Sequence, residues 1–589
     1  MPPHLDRPNL NHLWAALLVE EVVRQGTTFF AVCPGSRSTP LAVAAALNPR
    51  AEVLVHWDER AAAFAALGWG KATGCPAAVI TTSGTAVANL LPAAVEARQA
   101  GVPLLLLTAD RPPELRETGA NQAVRQPGLF STVARWEADL GTPSADVDPA
   151  FVLTTVAEAV ARALDGGPVH LNGPFREPLA PTPDGVDTSA LLARLGGWVE
   201  GRDPYTRRLH PASRPEVGDL AHRLDTVARG LVVLGPLDVT DTDTAPAAAE
   251  IAERLGWPLV ADLLSGARLG RDGTAADLAL LSDRLRAEPP EAVLQFGGRP
   301  TSKRLARWIA DARPALYVHV HPRAERIDPD HRVTHRLVAP TGPVALALAD
   351  ALHAQVDRGP SPEAWRARWA AACGAARAAA NAALDDSGLS EPQVARTLAR
   401  SLPKGAGLVV AASMPVRDLD AFAEADGRGV TVAANRGASG IDGTVATAAG
   451  FARGRGLPTA LLIGDLALLH DQTSLALLCD GPPVVVVAIN NDGGGIFHQL
   501  PVARPGALDA DTFERLFGTP HGLGFADAAR QVGLAYHQPT TLPAFETALA
   551  EAVASGRSAL IEVRTDRVEQ ATLRRDLARA VAEAVDDAV

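Results

Sequence analysis

Four cysteines in 589 residues, Cys33, Cys75, Cys373 and Cys479, are scattered without a CxxC or a Cys/His cluster. That argues against a disulfide framework and against a zinc site, and the expectation is reduced thiols in the core. A basic excess is also missing, since the formal net charge is −12. General nucleic-acid binding, which needs Lys and Arg to meet a phosphate backbone, is therefore disfavoured. Anionic small substrates stay open, because a few local arginines suffice for them. No apolar run nears the roughly 18 residues needed to cross a bilayer. The start, MPPHLDRPNL, lacks the basic-then-apolar pattern of a secretion signal, so a cytoplasmic location is expected. There is no short-period repeat and no low-complexity tail. The middle third has LVVLGPLDVTDTD after its first strand rather than GxGxxG, which weakens any FAD or NAD reading there.

What is present is ordinary for a soluble globular chain, 47% hydrophobic and 21% charged. The length calls for several cores. Short apolar runs alternate with helical patterns, the signature of doubly wound parallel α/β sheets. Three such domains are expected, at 1–182, 215–352 and 388–589. A Pro- and Arg-containing connector lies around 181–215, and an Ala-rich helix from Ser361 onward bridges to the last domain. In the first domain TTFFAVC, EVLVHW, PAAVITT, VPLLLLTA and GPVHLNGP read as strands. After them come Ser36 and Arg37, Glu59, Thr82 to Thr85, Asp110 and Arg111, and Asn121 with Gln122. Each could be a cap or turn residue taken singly; together they read as a ligand-facing rim. Glu59 opens an Ala-rich helix, where a carboxylate is favoured by the dipole alone. In the middle domain Lys303 and Arg304 follow a strand and its FGGRP turn, as a solvated pair or a carboxylate-binding one.

The stretch from Leu461 to Phe497 organises the last domain. ALLI and PVVVVAI read as buried parallel strands, with HDQTSLALL as a crossover helix between them. Asp465 and Asn491 then stand past two strand ends, the edge where open α/β sheets bind ligands. A carboxylate, an amide oxygen and carbonyls of the turn Gly493 to Gly495 form an oxygen-only donor set. Such a set suits Mg²⁺ that shares its other positions with diphosphate and water, and the glycines permit close backbone approach. Strands followed by Ser413 with Arg417, and by Asn435 with Arg436, complete the same edge.

Asp465 and Asn491 are separated by 25 residues, which resembles the Mg-diphosphate motif of thiamine-diphosphate enzymes, with Gly464-Asp465-Leu466 departing at its third position. The strings CPGSRSTPL, TTSGTAVANLL, LLTADRPPELRETGANQ, FGGRPTSKR, SMPVRDLD, NRGASGIDG and FGTPHGL go further. They resemble the menaquinone-pathway synthases within the thiamine-diphosphate decarboxylase/carboligase superfamily, across all three domains. The resemblance implies the fold of that superfamily, with pyrimidine-binding, central and diphosphate-binding domains in order. It implies Mg²⁺, with Mn²⁺ as an alternative, on Asp465, Asn491 and the Gly493 carbonyl, and Glu59 on the pyrimidine ring of the cofactor. Ile441 and Phe497 would wall the cofactor pocket, and Ser413 would touch both cofactor and substrate. The implied reaction decarboxylates 2-oxoglutarate and adds the succinyl semialdehyde unit to isochorismate by conjugate addition. Arg417 and Arg436, with Ser413, would hold the distal carboxylate; Ser36, Arg37, Arg111, Asn121, Gln122, Lys303 and Arg304 would face isochorismate. Glu59, Arg37, Gln122, Arg417 and Arg436 are thereby the implied catalytic set. A homodimer or dimer of dimers with shared active sites is implied as well. Ala412 stands where many relatives have Asn, so an amide contact is absent there.

Two other readings fit parts of the chain. Another thiamine-diphosphate carboligase or decarboxylase, of the acetolactate synthase or benzoylformate decarboxylase kind, would share the metal motif and Glu59. It would leave Arg37, Arg111, Arg417 and Arg436 without a second carboxylate to bind. A non-catalytic paralogue would be expected to lose Glu59 or the metal pair, and both are kept.

Overall fold

The computed structural model describes residues 3–209, 215–270, 276–354, 363–424 and 427–589. Three parallel sheets account for the strands. The first contains β1 (Phe29–Val32), β2 (Glu52–Val55), β3 (Ala77–Thr81), β4 (Leu104–Asp110), β5 (Trp136–Asp139) and β6 (Pro168–Pro174), in the order β2-β1-β3-β4-β6-β5. The second contains β7 (Gly230–Leu234), β8 (Leu259–Ala261), β9 (Ala292–Phe296), β10 (Leu316–His321) and β11 (His335–Val338), in the order β11-β10-β9-β7-β8. The third contains β12 (Gly407–Val410), β13 (Thr431–Ala434), β14 (Thr459–Gly464), β15 (Val484–Asn490), β16 (Ala535–His537) and β17 (Ala559–Arg564), in the order β13-β12-β14-β15-β17-β16. The doubly wound α/β expectation is met, and the first and third sheets share one strand order.

Burial explains the runs that formed central strands. Every residue of β3, β4, β6, β7, β9 and β15 is buried, as expected where helices cover both faces. Three strands had no sequence expectation: β5, β11 and β16. All lie at sheet edges and are half exposed, so they lack a continuous apolar run.

Contacts divide the chain into two compact units: residues 1–211, 435–456 and 470–482 form one, and 212–434, 457–469 and 483–589 the other. The expected connector is not bare in the first unit. Helix Thr188–Ala193 and the short helix Gly196–Trp198 place Leu191, Leu192, Leu195 and Trp198 in the core of the first sheet. Trp198 also donates from Nε1 to Glu21 at 2.9 Å. Helices Glu59–Thr73 and Thr444–Arg455 pack tightly in this unit. A methyl on Gly68 would sit 2.1 Å from the Thr447 carbonyl oxygen, and one on Gly450 would sit 1.8 Å from that of Ala65. Glycine at both crossings is thus a steric requirement.

Two further expectations change. The crossover between β14 and β15 is a short α-helix, Asp465–His470, followed by a 3₁₀ helix, Gln472–Cys479, rather than one helix. Its break is at Asp471, whose fully buried carboxylate turns to accept from Ser474 Oγ (2.7 Å) and from the Val445 and Ala446 amides. Of the cysteines only Cys33 and Cys373 are buried; Cys75 and Cys479 are exposed. Among the described residues no helix is long and apolar enough to cross a membrane.

Candidate active site

In the second unit, Asp465 is the first residue after β14 and only 3% exposed. Its Oδ1 accepts the Leu466 amide at 2.7 Å and its Oδ2 the Gly493 amide at 2.8 Å. His521 Nε2 lies 3.2 Å from the same Oδ2. Burial pushes the carboxyl upward from the ordinary Asp range, against the pull of these donors. A cation at this oxygen would relieve that cost.

Asn491 directly follows β15 and is 8% exposed. Its Nδ2 donates to Glu391 Oε1 at 2.7 Å, while its buried Oδ1 has no hydrogen-bond partner among the described residues. A buried amide oxygen without a donor is costly unless something outside the chain meets it. The following turn is shaped by close backbone contact. Gly493 has φ +135°, and a methyl there would lie 1.9 Å from the Gly518 carbonyl oxygen. The Gly494 amide donates to that carbonyl at 2.7 Å, and Arg567 Nη1 donates to the carbonyls of Asn491 (3.1 Å) and Asp492 (2.7 Å). Phe497 follows in a 3₁₀ turn, its ring centroid 5.4 Å from that of Phe517.

Asp465, Asn491 and Gly493 are therefore brought to one edge of adjacent strands. They fit a hard divalent cation: one carboxylate, one unpartnered amide oxygen and main-chain carbonyls. Among the described residues no three His, Cys, Asp or Glu side chains converge as a metal-binding group. With only these oxygen donors from the chain, a six-coordinate cation here would keep positions for diphosphate oxygens and water.

Ser413 and Arg417 stand at the same sheet edge, after β12. Ser413 has φ +73°, a left-handed conformation rare outside glycine, just before helix Met414–Phe422. Arg417, half-buried one turn into that helix, donates from Nη1 to the Ser413 carbonyl. Ala412 is buried against the sheet. Lys303 and Arg304 open helix Lys303–Ala312 and are exposed, with Arg304 ion-paired to Asp277. The switch point of the second sheet is closed: the Gly298 amide donates to the Pro236 carbonyl at 2.8 Å, and a methyl on Gly235 would meet the Gly298 oxygen at 1.9 Å.

In the first unit hydrogen bonds join Ser83, Arg111, Asn121 and Gln122 of the expected rim. Arg111 donates to Ser83 Oγ and to the Asn121 carbonyl, each at 3.2 Å. Gln122, at φ +58°, donates from Nε2 to the Ser83 carbonyl at 2.9 Å and accepts on its own carbonyl from Ser83 Oγ at 3.0 Å. Arg37 is 7% exposed, donates to the Phe175 carbonyl at 2.8 Å and pairs with Glu177 at 3.2 Å. Its buried Nε has no partner among the described residues. Burial first, and the nearby Arg111 second, lower its pKa, so an anion beside it would be favoured. Ser36, adjacent, is exposed.

Glu59 begins helix Glu59–Thr73 and accepts from Asn89 Nδ2 at 3.0 Å. Asp58, the helix cap, takes the Ala61 amide at 3.2 Å, leaving the Glu59 carboxylate free of a capping duty. The loop carrying Arg436 and Ile441 belongs to this unit. Glu96 clamps it by accepting the Gly437 (3.0 Å) and Ala438 (2.6 Å) amides. Arg436 is half-buried and Ile441 is 44% exposed. A largely apolar cavity of about 440 Å³ lies between Phe64, Ala88 and Leu91 on one side and Asn435, Gly440 and Asp442 on the other.

Sequence reasoning missed Glu391, Arg567, Arg574 and His521, which hold the metal-type edge in shape. His521 was visible only as part of FGTPHGL; the others bond to partners 53 to 183 residues away and carry no local signal.

Comparison with known proteins accords with this geometry. Residues 14–129 match the family model described as thiamine pyrophosphate enzyme, N-terminal TPP binding domain, and residues 189–410 match the middle domain of thiamine pyrophosphate. A 2-succinyl-5-enolpyruvyl-6-hydroxy-3-cyclohexene-1-carboxylate synthase of Rubrobacter xylanophilus is 53% identical over 98% of this chain and 99% of its own. That of Salinibacter ruber is 50% identical over 99% of this chain and 98% of its own. That of Chlorobaculum tepidum is 41% identical, covering 97% of each chain. With the sheets, the cation-type edge and full-length likeness in agreement, the chain belongs to the 2-succinyl-5-enolpyruvyl-6-hydroxy-3-cyclohexene-1-carboxylate synthase family of thiamine pyrophosphate enzymes.

Proposed function

We propose that this enzyme decarboxylates 2-oxoglutarate and adds the remaining succinyl semialdehyde unit to isochorismate, making the compound for which its relatives are named, in menaquinone biosynthesis. The reading is carried by full-length identity of 53% to such a synthase. It is supported by the clustering of basic and amide groups that two dicarboxylate substrates require. Thiamine diphosphate, when bound, supplies an electron sink next to the keto carbon. Asp465, the Asn491 Oδ1 and the Gly493 carbonyl would hold Mg²⁺, or Mn²⁺ in its place, which would neutralise the charge of the diphosphate. The Glu59 carboxylate holds and returns the proton of the pyrimidine ring nitrogen. Arg417, backed by the Ser413 carbonyl, and Arg436 bind the distal carboxylate of 2-oxoglutarate through charge-assisted bonds. Arg37, with its unpartnered Nε, together with Ser36, Arg111, Asn121 and Gln122, orients isochorismate, and Lys303 and Arg304 are further basic groups for that substrate. Ile441 and Phe497 exclude water from the reacting carbon.

The enzyme acts in the cytoplasm as a homodimer or dimer of dimers with shared sites. The exposed Val55, which ends the edge strand β2, and Trp57, two residues beyond it, are 61% and 68% exposed and are consistent with a covering partner. The deciding experiment mixes purified protein with thiamine diphosphate, Mg²⁺, 2-oxoglutarate and isochorismate, and follows isochorismate absorbance and CO₂ together. Joint loss that needs all four components is expected. CO₂ without isochorismate loss would reduce the activity to a 2-oxoglutarate decarboxylase, and acetolactate from pyruvate would move it to a neighbouring carboligase.

A further inference from the structure

An asparagine amide is nearly symmetric in shape, so a neighbour must decide which end faces a ligand. At Asn491 that neighbour is Glu391, in the first turn of helix Glu391–Ser401. Glu391 is 4% exposed, and every side-chain contact it makes is as an acceptor. Oε1 takes Asn491 Nδ2 (2.7 Å) and Thr565 Oγ1 (3.1 Å), and Oε2 takes Arg574 Nη2 (2.7 Å). Its main-chain amide is tied to Gln570 Oε1 at 3.0 Å, so the residue is held in place. Arg574, on the C-terminal helix Arg567–Ala588, is itself gripped from the other side by Asp418 of helix Met414–Phe422, with Nη2 2.8 Å from Asp418 Oδ2 and Nη1 on Oδ1. The side chains of Arg574, Asp418 and Glu391 are 10%, 5% and 4% exposed.

We infer that Asp418, Arg574 and Glu391 form a positioning relay that orients the Asn491 amide, presenting Oδ1 to the divalent cation. The inference rests on the cation site proposed above. A carboxylate engaged by a guanidinium can only accept, so the amide end against it must be Nδ2. The reversed amide would set an amide oxygen 2.7 Å from a carboxylate oxygen, at the position where Nδ2 now stands. Burying three charges is expensive as a stabilising device, and well-packed apolar residues often do as well. Here the carboxylate that takes Nδ2 turns the oxygen end of a neutral ligand toward the cation. Gly495 completes the fit: a methyl there would come 2.6 Å from Asn491 Nδ2. Glu391 and Arg574 are thus positioning residues acting through Asn491, in the manner of outer-shell groups at other metal sites.

The test titrates Mn²⁺ by electron paramagnetic resonance into the protein saturated with thiamine diphosphate, without substrate. Glu391→Gln, whose amide can present either end, is expected to weaken Mn²⁺ binding about 10-fold or more. Asn491→Asp should also weaken it, although it adds a carboxylate to the site, because two carboxylates then oppose each other. The double variant Glu391→Gln/Asn491→Asp should bind more tightly than Asn491→Asp alone, since the introduced glutamine can donate to the introduced aspartate. Unchanged affinity in Glu391→Gln, or a double variant weaker than both singles, would overturn the relay; a purely packing role predicts the latter. If Glu391→Gln does not fold, Asn491→Asp decides alone, a gain in affinity being the contrary result. A native protein that takes up no Mn²⁺ in the presence of thiamine diphosphate would remove the proposed function, and the relay with it.

Discussion

The first and third sheets have the same strand order, yet their carboxyl edges carry opposite chemistry. After β1, β3 and β4 come Arg37, Ser83 and Arg111; after the equivalent β12, β14 and β15 come Ser413, Asp465 and Asn491. The first edge presents two arginines; the second, alongside Arg417, presents the oxygen donors that we propose for a cation. The supports differ too. Arg37, Arg111 and Gln122 are propped largely on main-chain carbonyls. Asp465 and Asn491 are held by buried side chains and amides from other elements. A shared topology places loop ends; what those ends bind is decided side chain by side chain. The middle sheet shows the third outcome, where two loops close on each other.

The comparison breaks most sharply at Glu59, the one acidic group proposed to act on the otherwise basic side. Glu59→Gln keeps a partner for Asn89 and should retain the cofactor, yet lose about 10²–10⁴ in kcat. Cofactor binding measured by calorimetry beside turnover checks this, and near-normal kcat would refute the role. A smaller effect sharpens the division of substrates between the two edges. Arg417→Ala should lower kcat/KM for 2-oxoglutarate by about 10–100-fold, the worth of a charged hydrogen bond, and Arg37→Ala should do the same for isochorismate. If each variant instead impaired the other substrate, the two edges would have to exchange roles.

The smallest expected effect concerns stability. Burial raises the Asp471 carboxyl to about 6. Its folded pKa is above the unfolded one, so the native state favours the protonated acid. The contribution is full at low pH and is lost as pH climbs from about 4 toward 6. Asp471→Asn keeps an acceptor for the Val445 and Ala446 amides and should flatten that loss. Thermal melting at pH 4 and 7 would show it; equal differences at both pH values would exclude the effect.

Much of this was legible before any coordinates. Continuous apolar runs marked the buried strands, and strand-end logic placed Asp465 and Asn491 correctly at one edge. The edge strands β5, β11 and β16 were not legible, because half-exposed strands carry no such run. Glu391, Arg574 and Asp418 escaped for a different reason: their meaning lies in contacts 100 to 183 residues apart along the chain. The left-handed Ser413 left no trace either, since a serine before a helix reads as an ordinary cap.

The path of the chain has a consequence for how the protein is made. The first compact unit needs residues 1–211, 435–456 and 470–482, so the chain crosses between units five times. On a ribosome adding about 5–20 residues per second, the missing pieces of that unit emerge roughly 15–50 s after its first part. During that interval the Gly68 face of helix Glu59–Thr73 has no Thr447 or Gly450 to meet. Expressing the molecule as amino- and carboxyl-terminal halves would make that delay permanent.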